Sequence, residues 1–302
     1  MSRMINSVLL ILFSAMALTS CAGNEPYHEE RDSDNSDKAL RVLAIGNSFT
    51  VDATEYLPDL LATIETDKDI MIARLVKGGT SLRQHWENHL SGAPEYRFDI
   101  VKQWGWSTND NIRTIDDALS YADWDVIVIQ QVSGLSGIIE TYHPYIENLI
   151  GLIREQEGSP SIAFMITWAY STTSTHPDFA RYGNDRTRMY RAIIEAVSSI
   201  RENVDIIVPA GELIEQLRNT ELNNSLDLTV DGYHLDPGLP RYACACLWHE
   251  MLIRPVTRQS VLGSSFRPQV GAVRVTDHAM VRTRKIIENL VDAFSYKFII
   301  NP

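Results

Sequence analysis

Cysteine is scarce in this 302-residue chain, which has three: Cys21, Cys244 and Cys246. Three cannot build a disulfide framework. Cys244 and Cys246 lie two apart in an apolar helical pattern, so their side chains diverge, which reads as buried thiols and not as a bridge or a metal site. Positive charge is also short: 27 Lys and Arg stand against 39 Asp and Glu, a net charge of −12. That balance argues against nucleic acid as a partner and against a basic membrane-binding patch. Metal-ligand spacing is missing. His143, His176 and His249 have no ligand spacing, and His85 and His89, four apart on a helical stretch, lack the carboxylate of a His-Glu-x-x-His pattern, so for that pair surface or rim positions are expected. Neither a metal nor an organic cofactor is required. With no basic clamp or metal cluster near the loops, phosphate and sulfate ester chemistry has little support. No internal repeat is found.

What is present begins with a leader. Arg3 is followed by the apolar run 8–18, too short to cross a bilayer as a helix, and then by small residues, so residues 1–20 read as a secretion signal. Leu18-Thr19-Ser20-Cys21 resembles a bacterial lipobox, which would make Cys21 the lipidated first residue of a protein hung from a membrane in the cell envelope. Residues 21–38 read as a disordered tether, with Glu25, Glu29, Glu30, Asp32, Asp34 and Asp37 against Arg31 and Lys38 and hardly an apolar side chain. An acidic stretch after a lipidated cysteine fits either an outer-face export signal or a solvated spacer.

Residues 39–302 are long enough for one α/β domain with a substantial core. Continuously apolar strands are expected at 41–45, 69–76, 125–130, 161–167 and 205–208. Helices are expected at 52–61, 81–90, 114–121, 144–157, 185–201, 241–252 and 277–296. Buried strands alternating with helices imply a parallel five-stranded sheet covered on both faces, a three-layer α/β/α, flavodoxin-like domain.

The first strand runs into Gly46-Asn47-Ser48-Phe49-Thr50. Gly46 and Asn47 tolerate a sharp turn, and Ser48 then lies between strand and helix, at the carboxyl end where α/β sheets present ligands and nucleophiles. Asp231-Gly232-Tyr233-His234 lies far downstream. An aspartate three residues before a histidine on an irregular segment can accept the Nδ1 proton and leave Nε2 free to take a proton from a serine. Asp236 is a poorer orienting acid, because Pro237 next to it suggests a turn.

The order Ser48, Asp231, His234 resembles the SGNH (GDSL-type) hydrolase superfamily. There a Gly-Asp-Ser block follows the first strand and an Asp-x-x-His pair lies near the C-terminus; the resemblance covers about 39–248. It implies the same α/β/α fold, a Ser-His-Asp triad and an oxyanion hole. For the hole, the resemblance implies the peptide N–H of Ser48 and a glycine after the second strand, aligned to Gly78 with Gly79 a close rival. The superfamily's Gly-x-Asn-Asp after the third strand is absent here, and Gln130-Gln131-Val132-Ser133 stands in its place. A glutamine amide offers the same donors as the missing asparagine, so Gln130 or Gln131 could substitute, with Gln131 favoured because it is nearer the loop. The combination of these blocks resembles a branch found among bacterial lipoproteins, from which no substrate follows.

Trp86, Trp104, Trp106, Trp168, Tyr170 and Tyr233 could line a groove, and Trp168 and Tyr170, following the fourth strand, are the first choice with Tyr233 for contact with sugar rings. The expectation is a serine esterase acting on an acyl ester, foremost an acetyl group on a carbohydrate. The other reading is a surface lipoprotein that binds glycans on a degenerate hydrolase scaffold.

Overall fold

A computed structural model describes residues 39–102, 105–156 and 158–294. The leader, Cys21, the tether and Trp104 lie outside the described residues. In chain order the elements are β1 (Ala39–Gly46), α1 (Ser48–Thr54), α2 (Leu57–Leu61), β2 (Asp69–Val76), α3 (Leu82–Ser91), β3 (Arg97–Lys102), β4 (Gly105–Thr108), α4 (Ile115–Leu119) and β5 (Val126–Ile129). Then come α5 (Tyr145–Arg154), β6 (Ser161–Met165), α6 (Arg186–Ile200), β7 (Ile206–Val208), α7 (Ala210–Arg218), α8 (Leu239–Trp248), α9 (Arg254–Thr257) and α10 (Asp277–Phe294).

The sheet has seven strands in the order β4-β3-β2-β1-β5-β6-β7. The five parallel strands expected from the sequence are all there, as β2, β1, β5, β6 and β7. A five-stranded sheet is nevertheless an undercount, because β3 and β4 add two antiparallel strands beyond β2. They lack the apolar signature of the others: β3 carries Arg97, Asp99 and Lys102, and its buried Asp99 is paired by Arg74 of β2 and by Arg97, each at 3.0 Å, while Thr108 of β4 donates to it at 2.9 Å.

Connection handedness assigns the layers. From β1 the chain moves to β2 on one side, then returns across β1 to β5 and continues to β6 and β7 in the opposite direction. Right-handed crossovers therefore put α1 and α2 on one face and the helices joining β2 to β7 on the other. Packing agrees: α3 touches α4 and α5, whereas α1, α2, α7 and α10 gather around α8. Between the layers, Val42, Leu43, Ala44 and Ile45 of β1 and all of β5 are buried. Burying each Val, Leu or Ile there stabilises the sheet by roughly 1.5–3 kcal/mol.

The reversal of strand order falls at β1, which is where an open α/β sheet leaves a crevice. Register puts Gly46 beside Val76 and Ile45 beside Ile129, so the loops that leave β1, β2 and β5 emerge at one rim.

Candidate active site

The turn after β1 is held by side-chain amides. Asn47 is the N-cap of α1, accepting from the Phe49 N–H at 3.0 Å, and Ser48 is therefore the first helical residue. The same Asn47 oxygen accepts from Gln130 Nε2 at 2.7 Å, while Asn47 Nδ2 donates to the Thr80 carbonyl at 3.1 Å. Gln130 Oε1 in turn accepts from the Thr50 hydroxyl at 2.9 Å. One buried asparagine thus ties together the loops after β1, β2 and β5; an aspartate in its place has no N–H to give Thr80. Gly46 is needed for proximity: a Cβ there would sit 2.0 Å from Thr50 Oγ1 and 3.4 Å from Gln130 Cδ.

The histidine comes from an irregular loop between α7 and α8. His234 Nε2 lies 2.9 Å from Ser48 Oγ, across 186 residues of chain, and Nδ1 lies 2.7 Å from Asp231 Oδ2. Asp231 Oδ1 also accepts the N–H of His234 at 2.7 Å and of Tyr233 at 3.1 Å. Burial pushes the Asp231 carboxyl up, but these hydrogen bonds, led by the imidazole's, outweigh it and hold the group below the ordinary carboxylate range. An ionised Asp231 fixes the proton on Nδ1, so the Nε2 lone pair faces the serine and Ser48 O–H donates to it. The bend between them requires a glycine: Gly232 has φ +93°, and a Cβ on it would lie 2.7 Å from Ser174 Cα. The His234 and Asp231 side chains are 27% and 38% exposed, so the relay opens to solvent.

Other expected site residues take different places. Gly78 and Gly79 are exposed in the turn after β2, with Gly79 at φ +66°, and Asn47 holds that turn beside Ser48 through Thr80. Gln131 is fully buried and its amide is spent: Oε1 accepts from the N–H groups of Leu82 and Val132 at 3.1 and 2.8 Å, and Nε2 donates to the carbonyl and hydroxyl of Thr141 at 3.2 Å each. Gln131 therefore has no donor left for an oxyanion, and the expected third donor is corrected to an internal brace; Gln130, equally buried, bonds Asn47 and Thr50.

Trp168 and Tyr170 are also corrected. Both have 0% exposure and offer no face to a sugar. Trp168 stacks on Phe49 with centroids 4.2 Å apart and donates its indole N–H to the Tyr233 carbonyl at 2.7 Å, and Tyr170 bonds Ser133 at 2.9 Å. They sit at the expected edge of the sheet but point inward. Tyr233 stays half-buried beside His234, centroid to centroid 4.4 Å, and against His176 at 4.9 Å. Trp106 lies under the Arg74 guanidinium at 4.0 Å. His85 is buried against the Tyr96 hydroxyl and His89 pairs with Asp116. Asp236 has the turn role expected of it, accepting from the N–H groups of Gly238 and Ala272 at 2.8 and 2.7 Å. Cys244 and Cys246 are buried free thiols.

One residue went unread in the sequence. Asp52 of α1, one turn beyond Ser48, is buried and accepts the Leu235 N–H at 2.8 Å. The available signal was its spacing of four from the nucleophile on one helix face.

A serine at the switch point of a doubly wound sheet, within hydrogen-bond reach of a carboxylate-backed histidine on the loop before α8, makes this an α/β/α protein with the Ser-His-Asp arrangement expected from the SGNH resemblance. The chain belongs to the family described as "Domain of unknown function (DUF4886)", whose model matches residues 41–284. It is similar to a DUF4886 family protein from Bacteroides uniformis, whose crystal structure it matches at 30% identity and a TM-score of 0.73, over 84% of this chain and 95% of that one. A more distant likeness is to Axe2, an acetylxylan esterase from Geobacillus stearothermophilus, at 12% identity and a TM-score of 0.46, over 74% of this chain and 97% of that one. Among curated proteins none matches significantly in sequence.

Proposed function

We propose that the protein is a serine esterase hydrolysing a short acyl ester, foremost acetyl, on a carbohydrate outside the cytoplasm. The observation that carries this reading is the contact series from Ser48 Oγ to His234 Nε2 at 2.9 Å and from His234 Nδ1 to Asp231 at 2.7 Å.

In this mechanism His234 accepts the Ser48 proton as the hydroxyl attacks the ester carbonyl, and returns it to the departing alcohol; Asp231 holds the imidazole and offsets its transient charge. Water, activated by the same imidazole, then releases the acid from the acyl-serine. Oxyanion donors are the peptide N–H of Ser48 and one N–H of the Gly78-Gly79 turn, a stabilisation that is often worth about 3 kcal/mol per donor. With the Gln131 amide spent on Thr141 and Gln130 buried against Asn47 and Thr50, the proposed hole has two backbone donors. A short acyl group fits because Phe49, Trp168 and Tyr170 are packed solid behind the serine, and a carbohydrate fits because the relay faces solvent, where a polymer can approach.

Purified protein is expected to cleave p-nitrophenyl acetate faster than long-chain esters. Ser48→Ala should abolish that turnover and leave the melting temperature within a degree or two. Full activity in the variant would rule the mechanism out, and glycan binding with no acyl turnover in the wild type would favour the non-catalytic reading. Anchoring through a lipidated Cys21 belongs to the same proposal; the intact mass of the mature N-terminus reads it, and an unmodified mass would remove the anchor.

A further inference from the structure

The Ser48 helix reaches back to hold the histidine loop. Asp52 Oδ2 takes the N–H of Leu235, the residue after His234, at 2.8 Å. Arg241 of α8 takes the carbonyl of the same Leu235 through Nε at 2.8 Å, and its two other nitrogens bond Asp52 Oδ1 at 3.0 Å and Glu55 Oε2 at 2.8 Å. Tyr56, just past α1, donates its hydroxyl to the Pro237 carbonyl. Both peptide groups of Leu235 are thus gripped by a closed ring of Asp52, Arg241 and the backbone itself. Asp52 lies one turn from Ser48 on the same short helix, so the ring measures the base against the nucleophile's own backbone.

Resting on the esterase reading above, we propose that Asp52, braced by Arg241, is a positioning residue that sets the Ser48–His234 distance, and that its charge is needed for turnover. Its role is distinct from that of Asp231, which bonds the imidazole directly; Asp52 acts one peptide away, through Leu235.

The ring's chemistry gives it a pH signature. The titratable groups around Asp52 are Arg241 and Cys244 on α8, Glu55 at the C-terminal cap of α1 and His234 on the loop. Burial pushes the Asp52 carboxyl up to about 6, with Arg241 opposing the rise. Above that pH the carboxylate holds Arg241 and the Leu235 N–H together. Below it the group is neutral and the ion pair is lost, so the grip on the histidine loop loosens.

The test is Asp52→Asn, which keeps the acceptor for Leu235 but turns an N–H toward Arg241. With p-nitrophenyl acetate, kcat should fall about 10- to 100-fold with KM within twofold. The acid limb of the wild-type pH–rate profile should be steeper than that of the variant by the one proton that Asp52 takes up. Arg241→Lys, which retains the charge but not the fork, should fall between them and serves if Asp52→Asn does not fold. Wild-type kcat and wild-type slope in either folded variant overturn the proposal. The His234 Cε1 proton resonance separates this outcome from failure of the esterase reading. If the wild type hydrolyses no ester, a displaced His234 signal in Asp52→Asn still supports the ring, and an unmoved signal overturns it.

Discussion

The two halves of the site are built by different means. Ser48 stands on regular structure: β1 lies between two parallel neighbours, α1 follows within one residue, and the turn is bolted by buried amides from Asn47 and Gln130. His234 stands on a loop with almost no ladder of its own, only the Thr229–Leu235 bridge. What holds the loop is side chains reaching its backbone: Asp231 at the His234 N–H, Trp168 at the Tyr233 carbonyl, Asp52 and Arg241 at Leu235. In the proposed mechanism, a nucleophile fixed by the sheet and a base fixed by side chains fail differently. Damage to the turn that holds Ser48 should show as lost stability, and damage to the supports of His234 as lost rate in a folded protein.

Removing the charge behind the base is the sharpest way to test that contrast. Asp231→Asn keeps the shape but favours the wrong imidazole tautomer, and kcat should drop by about 10³-fold. Thermal unfolding should change by no more than about 1 kcal/mol, since the pair is partly solvated. A large stability loss with little rate loss would reverse the comparison.

On the serine side the effect should invert. Gly46→Ala forces a methyl into Thr50 Oγ1 and should cost about 2–3 kcal/mol of stability, read by denaturant midpoint. A folded, fully stable variant that has lost activity would mean the turn is less tightly packed than the contacts imply. The smallest effect is expected from Trp168→Phe, which keeps the stacking on Phe49 and loses the indole bond to Tyr233. About 1 kcal/mol and a few-fold in kcat should go together, measured by unfolding and initial rates.

The same division explains what could be read from residues alone. The parallel strands were legible because their apolar runs are unbroken, and Ser48 and the Asp231–His234 pair because turn chemistry and spacing mark them. β3 was not legible, since a strand that buries Asp99 against Arg74 looks polar until its partner is known. Trp168 and Tyr170 were placed at the correct rim but facing the wrong way, a choice made by packing against Phe49 and Ser133. Gln131 was read by its donors without sight of Thr141, which uses them. Asp52 looked like one more polar residue opening a helix, because its partners are 183 or more positions away.

The outer strands have a further consequence for how copies of this chain meet. β4 is four residues long and β7 three, and β7 is covered by α10. Little free ladder remains for a strand from another molecule to join. Sheet growth by accretion is therefore disfavoured at both rims, and neighbouring copies can stay separate while the rim that carries Ser48 remains open.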